Sequence, residues 1–430
     1  MERPPSVDKL IREVWSAGSR LPRPLIAEAA RETVAAMRAG GLNGLDPVAL
    51  CRQKAEERLR SGCRGAINAT GVLLHTGLGR APLCKAAQER VSSLHHASVE
   101  IELDTGRRGD RQAHCRWLLQ RLTGCEDALI VNNNAAAVFL TIRTLAAGRE
   151  AIVSRGQLIE IGGSFRLPDI IEQAGARMRE VGTTNKTRIE DYERAINDQT
   201  ALILRCHPSN FKIEGFTEEA SISELSELAR SRGIPLMDDA GSGCLIDTRR
   251  YGLPHEPTLQ ESLKANVVTA SGDKLIGGPQ AGLILGGKEI VSKLAANPLM
   301  RALRPGAITL AALEATLETY LYSENPVDEI PIWRMILESQ ESLRKKARRL
   351  KTGLPIVDTV AAIGGGALPG LSLPSVGLQA SDSQADEVAR KLRSLDPPVF
   401  PRIVDGKAIL DLRSMTEGEI EALPWALKGL

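Results

Sequence analysis

The chain has 430 residues, is 43% hydrophobic and 25% charged, and carries a formal net charge of +2. Its length predicts two or three domains at roughly one per 150 residues, and its proportions are those of an ordinary globular chain. No apolar run reaches the roughly 18 residues that cross a bilayer, MERPPSVDKL lacks an apolar signal core, and the seven scattered cysteines have no metal-site spacing, so the reading excludes a membrane partner and a metal and predicts a cytoplasmic protein.

Residues 1–66 read as helices. PLIAEAARETVAAMRAGG places Leu25, Ile26, Ala29, Ala30, Val34 and Met37 at helical spacing and stops at Gly40-Gly41. DPVALCRQKAEERLRSG starts on Asp46 as N-cap with Pro47 at the first helical position, and stops at Gly62. This segment holds 12 Lys+Arg against 8 Asp+Glu, a net +4 that points weakly to an anionic partner and equally to a solvated helical surface.

From residue 67 the pattern changes. The short apolar runs DALIVNN, EAIVSRG, TALILRCHPSN, IPLMDDAGSG and ANVVTASGDK alternate with amphipathic segments such as SISELSELARSRG. That alternation predicts an α/β unit over 67–309, a mostly parallel sheet with helices on both faces. Polar and glycine-rich residues end nearly every run, at the edge where open α/β sheets bind ligands. Beyond about 310, LAALEATLETYLYS and SLRKKARRLKTGL read as helices, and LPSVGLQA, PVFPRIVDG and KAILDLRS as strands, a smaller α+β domain over 310–430. KKARR within it reads as a charged helix face rather than a nucleic-acid patch.

Three features carry chemistry. Lys274 ends an apolar run beside Gly277, Gly278 and Pro279, a setting that suits a lysine bonded to an aldehyde cofactor, with glycines that let another backbone or a flat ligand approach closely. Asp239 ends the run before it and would face the ring nitrogen of pyridoxal phosphate; as turn chemistry, Asp-Ala-Gly-Ser-Gly has an equally simple reading. Asn132 to Asn134 sit between a strand and an alanine-rich helix, whose N-terminus suits a phosphate or simple asparagine capping. Phosphate site, acid and lysine in that order form the layout of fold-type-I pyridoxal-phosphate enzymes.

Longer runs carry a resemblance. INATGVLLHTGLGRAPL, IVNNNAAAVFL, VSRGQLIEIGGSFRLPDI, REVGTTNKT, HPSNFKIEGFT, DDAGSGCLID, SGDKLIGGPQAG, NPLMRALRPGAITLAALEATL and IGGGALPG occur in order from residue 67 towards the C-terminus. Together they resemble the bacterial L-seryl-tRNA(Sec) selenium transferases. The resemblance implies that Lys274 holds pyridoxal 5'-phosphate, Asp239 faces its ring nitrogen, and Asn133, Asn134, Ala135 and Ala136 hold its phosphate. It implies that Arg80, Arg301 and Arg304 bind the selenophosphate donor, as guanidinium forks suit phosphate, and that Asp273 and Asn210 are further site positions. Gln157 and Glu160 share a loop expected near the cofactor ring, with no choice between them, and His75 receives no role. Residues 1–66 are implied to bind tRNA. The implied reaction takes seryl-tRNA(Sec) through an aminoacrylyl-tRNA to selenocysteinyl-tRNA(Sec), in a homo-oligomer built from dimers, a decamer by resemblance. Two positions depart from the family pattern: Gly77 stands where HTNLGRA has asparagine, and Pro208 where HTSN has threonine. The competing readings are a pyridoxal-dependent lyase of a small amino acid, phosphorylated or not, and an idle tRNA-binding protein.

Overall fold

The computed structural model describes residues 4–16, 21–39, 46–60, 62–162, 165–381 and 383–429. The chain forms two compact units, Met1–Ala66 and Ile67–Leu430. In the first, α1 (Val7–Ser16), α2 (Arg23–Arg38) and α3 (Pro47–Arg60) bury Leu10, Val14, Ile26, Ala29, Val34, Cys51 and Ala55 against one another. The Asp46 carboxylate accepts the Val48 amide hydrogen at 3.0 Å, the capping bond its position predicts. The expected stop at Gly40-Gly41 lies outside the described residues.

The second unit is built on a seven-stranded sheet. Its strands are β2 (Asp127–Val131), β3 (Glu150–Ser154), β4 (Arg177–Val181), β5 (Thr200–Cys206), β6 (Leu236–Gly241), β7 (Val267–Ser271) and β8 (Gly282–Gly286). Their order is β2-β8-β7-β6-β5-β3-β4, and only β8 runs antiparallel to its neighbours. Strand side chains alternate between faces, and here that alternation feeds two cores. Ile203, Leu236 and Val268 pack with the helix Ile222–Arg232 on one face, while Leu202, Leu204 and Met237 pack with Ala137, Val138 and Leu140 of α4 (Asn134–Ala146) on the other. A sheet buried on both faces needs the near-continuous apolar runs seen in the sequence.

A second, five-stranded sheet has the order β1-β11-β12-β10-β9, with β1 (Ile67–Ala69), β9 (Ile356–Ala362), β10 (Ser372–Gln379), β11 (Val399–Val404) and β12 (Lys407–Asp411). Its first strand departs from the expected 67–309 unit. Ile67 and Ala69 pair in parallel with β11 and bury among Val376, Val399, Leu410 and Leu423, so residue 67 opens the C-terminal sheet. Strand β9 was not expected; it is an edge strand, paired along its length with β10 and bridged at Ala362 to Val72, and it is mostly exposed or half-buried, so no strong apolar pattern marks it. The basic run 345–349 lies on a helix face where Lys345 pairs with Glu341, and Lys346 with Glu338 and Glu417, as a charged face should.

Candidate active site

Asp239 sits inside β6, in register with Cys206 of β5 and Thr269 of β7. Its Oδ1 accepts from the Asn134 side-chain amide at 2.9 Å and from the Thr269 hydroxyl at 3.1 Å. Burial pushes its carboxyl pKa up, and the Asn134 hydrogen bond and the Lys274 charge oppose that shift. Next to it, Asp238 is fully buried and paired with Arg205 at 2.8 Å, so the two acids of the Asp-Asp pair do different work.

Lys274 lies past the end of β7, in the turn that leads to β8. It is 5% exposed. Burial lowers its ammonium pKa; Asp239 opposes this, Arg80 adds to it, and Asp273 and Glu256 oppose it. A buried amine close to carboxylates is a nucleophile and base that can carry or lose its proton. The turn is held from below: Leu275 donates its amide hydrogen to Ser242 O at 3.0 Å, and the Tyr320 hydroxyl lies 3.1 Å from the carbonyls of both Leu275 and Ile276. Trp333 Nε1 donates to that hydroxyl at 2.8 Å.

The glycines after the lysine have another task than the expected one. A Cβ at Gly277, whose φ is +72°, would come within 2.4 Å of Ile330 Cγ2, and one at Gly278 within 3.1 Å of the Gly272 carbonyl oxygen. They let the lysine turn seat on the protein's own core. The glycine that faces Lys274 is Gly366: a Cβ there would stand 2.9 Å from Ser209 Cβ and 3.4 Å from Lys274 Nζ. IGGGALPG therefore lies over the lysine.

Arg80 joins this group, its Nη1 donating to Asp273 Oδ2 at 2.6 Å. The pair is partly buried, and Arg80 holds a left-handed φ of 63°, a conformation a non-glycine residue keeps only when its surroundings demand it. The Ala81 amide donates to the Asp273 carbonyl at 3.2 Å, so both strands of contact fix the HTGLGRA loop to the lysine turn. In that loop a Cβ at Gly77 would stand 3.3 Å from the His75 ring, so a larger residue there must displace the imidazole.

Asn133 caps α4 through its side chain, which accepts the Ala136 amide hydrogen at 2.8 Å. The Asn134 and Ala135 amides have no partner among the described residues, and Asn134 Oδ1 is buried and unpartnered. Free N–H groups at a helix N-terminus, beside a buried acid and a buried lysine, fit pyridoxal phosphate: an anion seat, a partner for a ring N–H and an amine for the aldehyde.

Three expected residues are not part of this group. Arg301 and Arg304 line an open cleft of about 540 Å³ with Glu100, Arg108, Arg111 and Arg116. Glu100 faces Arg111 at 2.6 Å, Arg108 at 2.9 Å and Arg304 at 3.3 Å, while Arg301 has no ion pair among the described residues. No hydrogen bond or ion pair among the described residues joins either arginine to Lys274; their segment meets the phosphate-side loop where the Asn132 amide donates to Leu303 O at 2.9 Å, and packs on the sheet core through Leu299, Met300 and Leu303. Asn210 also stands apart, exposed, its amide donating to Glu160 O at 2.9 Å. Of the two loop candidates, Gln157 is buried and bonded to Glu219 and to the Cys206 amide, whereas Glu160 is exposed and paired with Arg166. Gly163 and Ser164 of that loop lie outside the described residues. Sequence reasoning passed over His207 and Glu256, both buried near Lys274; His207 opens the HPSN run, but nothing in YGLPHEPTL marks Glu256.

Comparison with known proteins bears on this geometry. The family described as L-seryl-tRNA selenium transferase matches residues 66–416. The L-seryl-tRNA(Sec) selenium transferase of Moorella thermoacetica is 47% identical over 401 residues, covering 89% of this chain and 85% of that protein. The protein of the same description from Geobacter sulfurreducens is 43% identical over 455 residues, covering 100% and 98%. Among solved structures, a D-glucosaminate-6-phosphate ammonia-lyase aligns with a TM-score of 0.62 at 21% identity, over 86% of this chain and 96% of its own, which speaks for the fold alone. By its sequence over most of its length, this chain belongs to the L-seryl-tRNA selenium transferase family.

Proposed function

We propose that the chain converts L-seryl-tRNA(Sec) to L-selenocysteinyl-tRNA(Sec) as a pyridoxal-phosphate enzyme. The observation that carries the reading is the buried Lys274, set in one chain against Asp239, Asp273 and Arg80 at the ligand edge of the sheet. The bound cofactor supplies an electron sink, which makes the seryl α-proton acidic and its hydroxyl able to leave.

The protein's own groups supply the rest. The free amides of Asn134 and Ala135 hold the cofactor phosphate, and Asp239 keeps a proton on the ring nitrogen. Lys274 takes the α-proton from the seryl group and returns a proton to it, as a base whose ammonium form burial disfavours. Asp273 holds Arg80 in place at the lysine turn, and Arg80 binds the anionic selenium donor, selenophosphate. Arg301 and Arg304 serve the same donor from their own cleft, and a homo-oligomer of dimers, a decamer in the family pattern, brings that cleft to a neighbouring chain's lysine. Residues 1–66 bind the tRNA, and the protein works in the cytoplasm. No helix among the described residues is long and apolar enough to cross a membrane.

Conversion by the full-length protein tests this directly. With pyridoxal phosphate and selenophosphate present, labelled seryl-tRNA(Sec) should yield selenocysteine on hydrolysis of the tRNA. Release of pyruvate or ammonia from free amino acids, with no such product, would establish a lyase instead.

A further inference from the structure

One buried carboxylate beside Lys274 has no part in the chemistry above. Glu256 is 1% exposed. Its Oε2 accepts the Leu368 amide hydrogen at 3.0 Å. Its Oε1 lies 3.5 Å from His207 Nε2 and makes no hydrogen bond of normal geometry, even with the equally unpartnered Ser242 hydroxyl nearby.

His207 Nδ1 accepts the Ser209 amide hydrogen at 3.1 Å. A neutral imidazole that accepts at Nδ1 carries its proton on Nε2, so the nitrogen 3.5 Å from the unpartnered carboxylate oxygen is the one that bears the N–H. The circuit closes on the other side. Ser209 and Leu368 both hold left-handed φ values, 54° and 46°, and Gly366 brings the loop against Ser209 and Lys274 Nζ. Non-glycine residues stay in that region only where neighbours over-determine them. The carboxylate meets both the segment that follows β5, through His207, and the 363–370 loop, through Leu368.

We propose that Glu256 is a positioning residue for the Lys274 site, holding the His207 imidazole and the 363–370 loop together as one wall over the lysine. The proposal rests on the reading of Lys274 as the cofactor lysine. The wall forms from two distant segments, and Oε1 is placed to take the His207 N–H more closely once the site is filled, as hydrogen bonds in empty active sites often tighten on binding.

Glu256→Gln tests it in the full-length protein loaded with pyridoxal phosphate. The amide oxygen can still accept from Leu368, but its nitrogen then meets the His207 N–H donor against donor, and one negative charge beside Lys274 is lost. Lys274 is otherwise faced by Asp239, Asp273 and Arg80, Glu256 by His255, and His207 by Arg205, all unchanged in the variant. The expected result is a visible cofactor band whose pH midpoint falls by about half a unit or more, with cofactor affinity about tenfold weaker. The sign follows from the lost negative charge, which had favoured the protonated form at the lysine. Because Glu256→Ala is prone to fail in folding, the near-isosteric glutamine variant carries the test. An unchanged midpoint overturns the proposal, whether the affinity holds or falls, since a falling affinity alone is what lost packing gives. Absence of any cofactor band in the parent protein would instead overturn the reading of Lys274.

Discussion

The two charged regions of the large unit are built in opposite ways. Around Lys274 the charges are buried and mostly bonded within the protein: Asp239 to Asn134 and Thr269, Asp273 to Arg80, and one oxygen of Glu256 to the Leu368 amide, while the other lies 3.5 Å from His207. Around Arg301 and Arg304 the charges are open to solvent and unequal: five arginines line the cleft, Glu100 pairs with three of them, Asp110 and Asp127 pair with Arg116, and Arg301 has no ion pair among the described residues. A buried site must satisfy its polar groups internally, because an unpaired charge there is costly. An open cleft can keep an excess of guanidinium groups in water until an anion arrives. The first region is fit to hold a cofactor through many turnovers, the second to take and release a charged reactant.

Substitutions should separate the two regions, and the largest effect belongs to the buried one. Lys274→Ala should remove both the visible cofactor band and turnover, a loss of at least about 10³-fold, since it deletes the cofactor's attachment and the base together; a steady-state rate and a spectrum check both. Asp239→Ala strips the acceptor from Asn134 and Thr269 and, on the proposed reading, the partner from the ring nitrogen. Cofactor affinity should fall by about 10- to 100-fold, read by absorbance titration.

His207→Gln should show in stability against pH. Burial, helped by the Lys274 charge, pushes the His207 pKa down to about 4. The unfolded state takes up the proton near 6.5 and the folded state does not until about 4, so the parent protein loses stability as pH falls through that window, by at most about 3 kcal/mol. The variant should lack that loss. Denaturant melts at pH 7 and pH 4.5 that change equally in both proteins would refute the assignment.

The smallest effect belongs to the open cleft. Arg301→Ala or Arg304→Ala should raise KM for the selenium donor about tenfold and leave the cofactor band as it is. A lost band in either variant would erase the distinction between the two regions.

Much of the site was legible because strand ends are legible. DALIVNN, IPLMDDAGSG and ANVVTASGDK each bring their polar tail to one sheet edge, so Asn133, Asp239 and Lys274 could be placed from pattern alone. The misread parts depend on contacts between distant segments. Gly277 beside a lysine suggests room for a ligand, but the space is filled by Ile330 and Ile332, more than fifty residues away. Gly366 and Glu256 reach the lysine from segments with no periodic signal of their own. Strand β1 carries nothing in its three residues to announce pairing with Val399–Val404. The positions of Arg301 and Arg304 show a further limit: motif membership gives a residue's identity, while the groove it opens into depends on packing.

The most direct test of the central claim is the visible absorbance of the full-length protein with pyridoxal phosphate, titrated separately with seryl-tRNA(Sec) and with free L-serine. The expected result is a saturable spectral change with the charged tRNA and none with serine at matched concentration. An equal response to free serine, or no response to the charged tRNA, would contradict it.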